Sequence, residues 1–471
     1  MNDRARPPIP GRRPLVVGAA RSGLAAARLL AGAGAEVRVC DAQPAAQRPD
    51  AARALGTLGV EVVWGRDGPD LLEGRDLVVW SPGIAATHPL ARAARLAGVP
   101  LLSELEIGWR ASRAPFVCIT GTNGKSTTAD LTGALLRGAG RVVEVCGNIG
   151  RAVCDVAPSV PPDGVVVAEV SSFQLETVDR LKPFVAVWLN LTPDHLDRHG
   201  DLATYAAMKR RLFECQDGGD VAVWNADDPQ VMARRIPHGT PAAPMALTFS
   251  IRTPVSRGAF LDADRIALAG DGGAHALMPV SELRLRGRHN HANVLAALSA
   301  TLPFDPGPEA VRTVLRAYAG LEHRLEPVAI IEGVEFINDS KATNLQSLEV
   351  ALDSFDHPVV LIAGGRDKGQ DFSPLAAHVA RTVAHVVLIG EGAERIAAAW
   401  PSVPQTRVAT LEAAVDTAFL LANRPGAEAR GARTVLLSPG CASFDMFQDF
   451  EDRGRRFKAE VERLRHQGVA S

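Results

Sequence analysis

The densest concentration of reactive residue types is the stretch Gly121-Thr122-Asn123-Gly124-Lys125-Ser126-Thr127-Thr128, which follows the apolar run Phe116–Ile119. Glycines at 121 and 124 let a turn bring backbone N–H groups close to an anion, and a helix starting at the turn adds its positive dipole end. Lys125 then supplies a point charge for outer phosphates, and the Ser126 hydroxyl suits Mg²⁺. The common P-loop has another glycine five residues before its Gly-Lys pair; Ile119 stands there instead. A chance Gly-Lys-Ser in a loop is the alternative. The apolar run before it and the helical pattern Ala129–Arg137 after it favour an ATP site.

Further along, the β-branched run Val165–Ala168 ends in Glu169, where a Mg²⁺-ATP enzyme places a metal-binding acid; a solvated strand-end acid is the alternative. Asp194-His195-Leu-Asp197-Arg198-His199 packs two carboxylates and two imidazoles together, dense enough for metal binding or catalysis. Four-residue spacing would put His195 and His199 on one helix face, so a zinc hydrolase is one reading. With no His-Glu-x-x-His and no cysteine pair nearby, the neighbouring P-loop favours a hard cation with oxygen ligands. An aspartate-capped helix start is the structural alternative. Lys209, in the amphipathic run Leu202–Glu214, reads as a surface lysine. His289, Asn290 and Asn293 precede the helical run Val294–Leu302 and could read a base or phosphate, or simply cap the helix. Near the end, polar loops Asn338–Asn344, Gly364–Gly369 and Ser438–Asp445 carry Lys341, Arg366 and Lys368, a cationic set suited to a small anionic substrate.

These residues need a scaffold that collects loops at one edge. A chain of 471 residues with 46% apolar content supports about three domains, each with its own core. The first begins with a strand Pro14–Val17, the turn Gly18–Gly23, a helix over Leu24–Ala31 and a strand Glu36–Cys40 ending in Asp41. This order is dinucleotide-like, but Ala20 replaces the middle glycine of the fingerprint and hinders approach to a pyrophosphate, so NAD is the weaker reading. Strands at Asp76–Trp80 and Val99–Leu102 lead into Ser81-Pro82-Gly83 and Ser103-Glu104. Ala111–Pro115 reads as a linker, and Asp262–Gly273 as loops between short β segments. Strands alternate with helices again beyond Gly320–Glu326, at Glu335–Ile337, Val359–Ala363, Val386–Ile389, Arg407–Ala409 and Val435–Leu437. The fold class expected is α/β: a Rossmann-like N-terminal sheet, a P-loop mononucleotide-binding central domain and a Rossmann-like C-terminal domain, spanning 1–103, 104–320 and 321–471. A net charge of −2 gives no reason to expect nucleic acid or anionic membranes. No apolar run reaches bilayer length, Met1–Pro14 lacks a signal-peptide apolar region, and six dispersed cysteines fit a reducing cytoplasm.

Seven segments together resemble one family. Gly121–Thr127, Glu169-Val-Ser-Ser-Phe-Gln-Leu-Glu176, Asn190–Arg198, His289-Asn290-x-x-Asn293, Glu322-His-Arg324, Asn338-Asp-Ser-Lys-Ala-Thr-Asn344 and Ser438–Phe450 are similar to the Mur ligases over nearly the whole chain. The Ser-Ser-Phe-Gln-Leu-Glu element and the tail Cys441–Gly454 look most like the branch that adds glutamate to UDP-N-acetylmuramoyl-L-alanine in peptidoglycan synthesis. The resemblance implies a cytoplasmic, monomeric, ADP-forming acid–amino-acid ligase of cell-wall assembly, hence of cell shape and division. It implies two Mg²⁺ ions held by Ser126, Glu169, His195 and a Lys209 carbamylated by CO₂. Lys125 and Ser126 would hold the ATP phosphates; Asn290 and Asn293 would lie near adenine, with Arg324 and Asp339 also on the nucleotide. Lys341, Thr343, Lys368, Ser443 and Phe450 would surround glutamate. Ser22, Asp41, Ser81, Gly83 and Asn148 would meet the UDP-sugar. Ala42-Gln43 and Arg21 depart from the family pattern near the uracil, and Gly440 replaces a common alanine. The rival activities are an L-glutamate-adding relative, a folylpolyglutamate synthase, an NAD oxidoreductase and a nucleotide-binding regulator without ligase chemistry.

Overall fold

A computed structural model describes residues 6–236, 242–285, 287–367, 369–424 and 433–468. Lys368, one of the cations expected around glutamate, lies outside the described residues. Strand-forming runs of Val, Ile and Leu with buried faces build three sheets, each mainly parallel and flanked by helices, as continuous apolar strands require.

The first sheet has the order Glu61–Trp64, Arg38–Asp41, Pro14–Val17, Leu77–Trp80, Leu101–Ser103, all parallel. The second runs Gly273–Pro279, Arg265–Gly270, Gly258–Asp262, Met245–Ser250, Val221–Asn225, Val185–Trp188, Phe116–Thr120, Val165–Glu169, Val143–Gly147. Its first two strands are antiparallel additions. The third runs Glu326–Ile331, Val334–Asn338, Thr434–Leu437, Val359–Gly364, Val383–Ile389, Gln405–Arg407, with only the first strand antiparallel. The three-sheet α/β architecture is the one the sequence predicts.

One local expectation needs correction. Asp262–Gly273 is not loop: Arg265–Gly270 is a strand paired antiparallel on both sides, with consecutive residues Ile266 and Ala267 buried across an irregularity in the register, so no clean alternation marks it. The P-loop helix starts at Lys125, as the Lys-Ser-Thr sequence after the glycine-rich turn predicts, directly after Gly124 in the left-handed region (φ 82). The linker expected at Ala111–Pro115 follows a helix, Glu104–Ala111, started by the Ser103 hydroxyl accepting from the Glu106 amide, and residues 112–115 carry no helix or strand.

The chain packs into two units. One comprises residues 1–282 and 292–316, the other 283–291 and 317–471. Within the first, the core of the N-terminal sheet takes in Ala152 and Cys154, which follow a strand of the central sheet. The second has two cores, one on each face of its sheet. The helix Arg288–Thr301 begins in the second unit and ends in the first.

Candidate active site

Parallel register aligns strand exits, and the exits carry the candidate residues. In the central sheet Ile119 pairs with Glu169, Thr120 with Trp188, and Gly147 with Glu169. The glycine-rich turn, Glu169, Asn148 and Asn190 therefore emerge side by side at one sheet edge.

The turn is held by its neighbours. Asn190 accepts from the Thr122 and Asn123 amides through Oδ1 at 3.0 and 2.8 Å, and donates from Nδ2 to the Asn123 carbonyl at 3.0 Å. Thr122 Oγ1 accepts the Thr192 amide at 3.1 Å. Gly124 has φ 82, which favours glycine, and a Cβ there would lie 2.3 Å from Asn293 Oδ1, so the amide would have to move to admit one. Thr128 donates to the same Oδ1 at 3.3 Å. Ser126 and Thr127 are both buried at the helix start.

Two lysines meet at this turn. Lys125 donates to the carbonyls of Gly121 and Thr122 at 3.0 and 2.7 Å, and Lys209 donates to the same Gly121 carbonyl at 2.8 Å. Lys209 is 1% exposed, with its ammonium 4.3 Å from the centre of the Tyr205 ring. Burial, then repulsion from Lys125, push its pKa well below that of an ordinary lysine, against the opposing pull of Asp194 and Glu169. A buried amine that gives up its proton readily is a nucleophile. Local sequence reading placed this residue on the surface. The signal it lacked is the long-range approach of Gly121, which only the fold supplies.

Glu169 ends its strand 2% exposed. Its Oε1 accepts from Asn148 Nδ2 at 2.7 Å, while Oε2 is buried without a hydrogen-bond partner among the described residues. A carboxylate oxygen left unpaired in that position fits a hard cation. His195 departs from the helical expectation: its backbone is left-handed (φ 53), and the helix that follows, Leu196–His199, is a single turn. His195 thus stands just outside the helix, yet both imidazoles lie against the rings of Phe173 and Tyr205. His199 is buried with Nε2 3.0 Å from Ser172 Oγ and its pKa lowered by burial. His195 is half-exposed, with its ring 4.8 Å from that of Phe173.

At the first sheet, Val17 pairs with both Cys40 and Trp80, which sets Gly18, Asp41 and Ser81 side by side. Asp41 accepts from the Ala19 and Gln43 amides, each at 2.8 Å, so both carboxylate oxygens brace the turn. Ser81 is buried beside Gly18, whereas Ser22 is half-buried at the helix start. Gly83 follows in the next loop, with no atom near the place its Cβ would occupy. Arg21 reaches the central sheet and donates to the Gly150, Asn148 and Gly147 carbonyls at 2.6, 2.9 and 3.3 Å.

In the second unit Asp339 follows the Leu437 register and accepts from Ser438 Oγ at 2.8 Å and the Leu325 amide at 3.2 Å. Burial raises its pKa to about 7, opposed by those bonds and by Arg324 and Arg453. Asn290 is buried at the start of its helix. The Lys341 ammonium lies 4.1 Å over the Phe450 ring. Thr343 is half-buried two residues on, and Ser443 is buried. Arg453, fully buried, ties these loops together by donating to Ser340 Oγ and carbonyl at 2.9 and 2.7 Å and to the Cys441 carbonyl at 3.1 Å.

A glycine-rich turn with two lysines, a buried acid with a spare oxygen and three sheets, each mainly parallel, mark the nucleotide-binding α/β class of protein. Comparison with known proteins narrows the class. Residues 12–103 match the Mur ligase MurD-like N-terminal domain, 119–301 the Mur ligase middle domain, and 323–441 the Mur ligase glutamate ligase domain. The UDP-N-acetylmuramoylalanine–D-glutamate ligase of Koribacter versatilis is 39% identical over 98% of this chain and 99% of its own. The ligase of the same name from Salinibacter ruber is 42% identical over 96% and 98%. This chain belongs to the Mur ligase family. In fold it is similar to a pseudomurein peptide ligase type C from Methanothermus fervidus, with TM-score 0.57 at 16% identity, covering 96% of this chain and 100% of that one. The UDP-N-acetylmuramate-alanine ligase of Thermotoga maritima gives 0.56 at 18%, covering 97% and 100%.

Proposed function

We propose that this chain joins D-glutamate to the terminal carboxylate of UDP-N-acetylmuramoyl-L-alanine, converting ATP to ADP and phosphate, as the name of its near-full-length relatives suggests. The observation that carries the reading is the agreement between that similarity and the site: a glycine-rich turn, Lys125 and an unpaired Glu169 oxygen at one sheet edge.

The chemistry explains why these groups are needed. A carboxylate cannot acylate an amine directly, because oxide is too poor a leaving group. Its oxygen attacks the γ-phosphorus, the bond to ADP breaks, and an acyl phosphate forms. The glutamate amine attacks the acyl carbon, phosphate leaves with the C–O bond, and the amine loses its proton. Two polyanions must meet in the first step. Mg²⁺, when bound, offsets their charge. Ser126, Glu169 and His195 are the side chains here that would hold it. Lys125 steadies the outer phosphates from the helix start. Lys209 supports a second metal position: its neutral amine attacks CO₂, a nitrogen–carbon bond forms and a proton leaves, creating a carboxylate at the turn.

The first sheet, residues 1–103, takes the UDP-sugar through Ser22, Asp41, Ser81 and Gly83. In the central domain, 104–320, Gly121–Thr127 cradle the phosphates. Asn148 joins the acceptor to Glu169, and Asn290 and Asn293 lie at the adenine. The last domain, 321–471, offers Arg324 and Asp339 to the nucleotide, and Lys341, Thr343, Lys368, Ser443 and Phe450 to glutamate. The working form is a cytoplasmic monomer. Product analysis tests the reading: incubation with ATP, Mg²⁺, the UDP-sugar acceptor and either glutamate enantiomer should release phosphate and give one new amide with D-glutamate only. Release with L-glutamate alone would overturn the stereochemical part, and no release would overturn the whole.

A further inference from the structure

Arg198 and Glu176 sit in two of the family-like motifs without touching the phosphate turn. Arg198 donates from Nε and Nη2 to the two oxygens of Glu176 at 2.9 and 2.7 Å, a bidentate pair whose side chains are 13% and 9% exposed. The same Nη2 donates to the Ile84 carbonyl at 2.9 Å, and Glu176 Oε2 accepts the Ala86 amide at 3.3 Å. Ile84 and Ala86 directly follow Ser81-Pro-Gly83 of the first sheet, and the Ile84 amide donates back to Ser81 at 3.1 Å. On its other side the guanidinium lies 4.4 Å over the Phe173 ring, which is 4.8 Å from the ring of His195.

One ion pair thus fixes both the exit loop of a first-sheet strand and the segment that carries His195. We propose that Arg198 and Glu176 are positioning residues that register the sugar-nucleotide loop against the His195 segment, and so set where the acceptor carboxylate meets the γ-phosphate. The proposal rests on the ligase reading above. A bidentate guanidinium–carboxylate pair is rigid in distance and angle, whereas lysine offers a single movable charge. Misplacing a reacting group by about 1 Å can cost about 100-fold in rate.

Steady-state kinetics on R198K and E176Q tests this, with thermal melting of each variant as a check on folding. The expected result for R198K is a roughly tenfold rise in KM for the UDP-sugar and a fall in kcat of about 10- to 100-fold, with KM for ATP and glutamate within about twofold. E176Q keeps the shape and loses the charge, so it should move the same parameters in the same direction by less. A merely structural pair would lower the melting temperature and leave every KM unchanged in the folded fraction. That result, or an equal rise in all three KM values, overturns the proposal; should R198K not fold, E176Q alone decides by the same criteria. An inactive wild-type enzyme would instead defeat the ligase reading, which separates the two failures.

Discussion

Gly18–Ala20 and Gly121–Gly124 are both turns between a buried parallel strand and a helix, yet side chains from elsewhere give them opposite characters. The first is braced by a carboxylate, with Asp41 accepting the Ala19 amide, while Arg21 leaves the turn for carbonyls of the central sheet. The second is gathered around cations, Lys125 and Lys209 on one carbonyl, with the neutral amide of Asn190 on its N–H groups. An acid at a turn repels phosphate and suits hydroxyls or a uracil; two lysines attract phosphate. The backbone motif therefore says that a nucleotide can bind, and the neighbouring strand exits say which part of one.

Substitutions can break this comparison. K125A should have the largest effect, lowering ligation by about 1,000-fold or more, because charge offset at the transferring phosphoryl group is lost; phosphate release measures it, and near-normal turnover would remove Lys125 from the phosphate site. K209A should lose about 100-fold, since nothing replaces the carboxylate proposed there. Added acetate should restore part of the activity, and full activity without rescue would defeat the carbamate. D41A should spare the KM for ATP while raising that for the UDP-sugar about tenfold. The buried Ala19 amide loses its acceptor, a cost of about 1–3 kcal/mol that denaturant melts would register.

The smallest effect concerns pH at the junction of the first two sheets. Glu104, 2% exposed, accepts the Cys154 amide at 2.6 Å, and burial raises its pKa to about 7, with Asp155 adding to the rise and Cys154 and Arg21 opposing it. The folded state therefore keeps the proton where the unfolded chain has lost it. The stabilising contribution is full below pH 4.5, the ordinary glutamate value, and fades as pH rises through 7. E104Q cannot ionise, so its melting temperature should gain on the wild type between those values; a constant difference would show that the carboxyl does not titrate there.

Much of the P-loop and the order of the three sheets is legible in the sequence, because glycine spacing and β-branched runs are local signals. Glu169 also stands out, as an acid ending an apolar strand. Lys209 does not, since the carbonyl it donates to comes from residue 121 through the fold, even though the Tyr205 ring beside it is one turn back on its own helix. Asn190 appears in the sequence only as the start of the family-like segment Asn190–Arg198; its grip on the turn needs the pairing of Thr120 with Trp188. The antiparallel strands Arg265–Gly270, one strand in from its sheet's edge, and Glu326–Ile331, at an edge, escape notice because both carry short, interrupted apolar patterns. His195 is legible only in part: its spacing from His199 suits a helix, whereas the left-handed backbone at 195 puts it just before a single-turn helix, with both rings still against Phe173 and Tyr205.

The most direct test follows phosphate release and product mass together, with purified protein, Mg²⁺, ATP, UDP-N-acetylmuramoyl-L-alanine and D-glutamate, leaving out one component at a time. Phosphate and an amide-linked product should appear in equal amounts, and only when all are present. Phosphate release that does not depend on the acceptor, or an intact nucleotide with every partner supplied, would contradict the assignment.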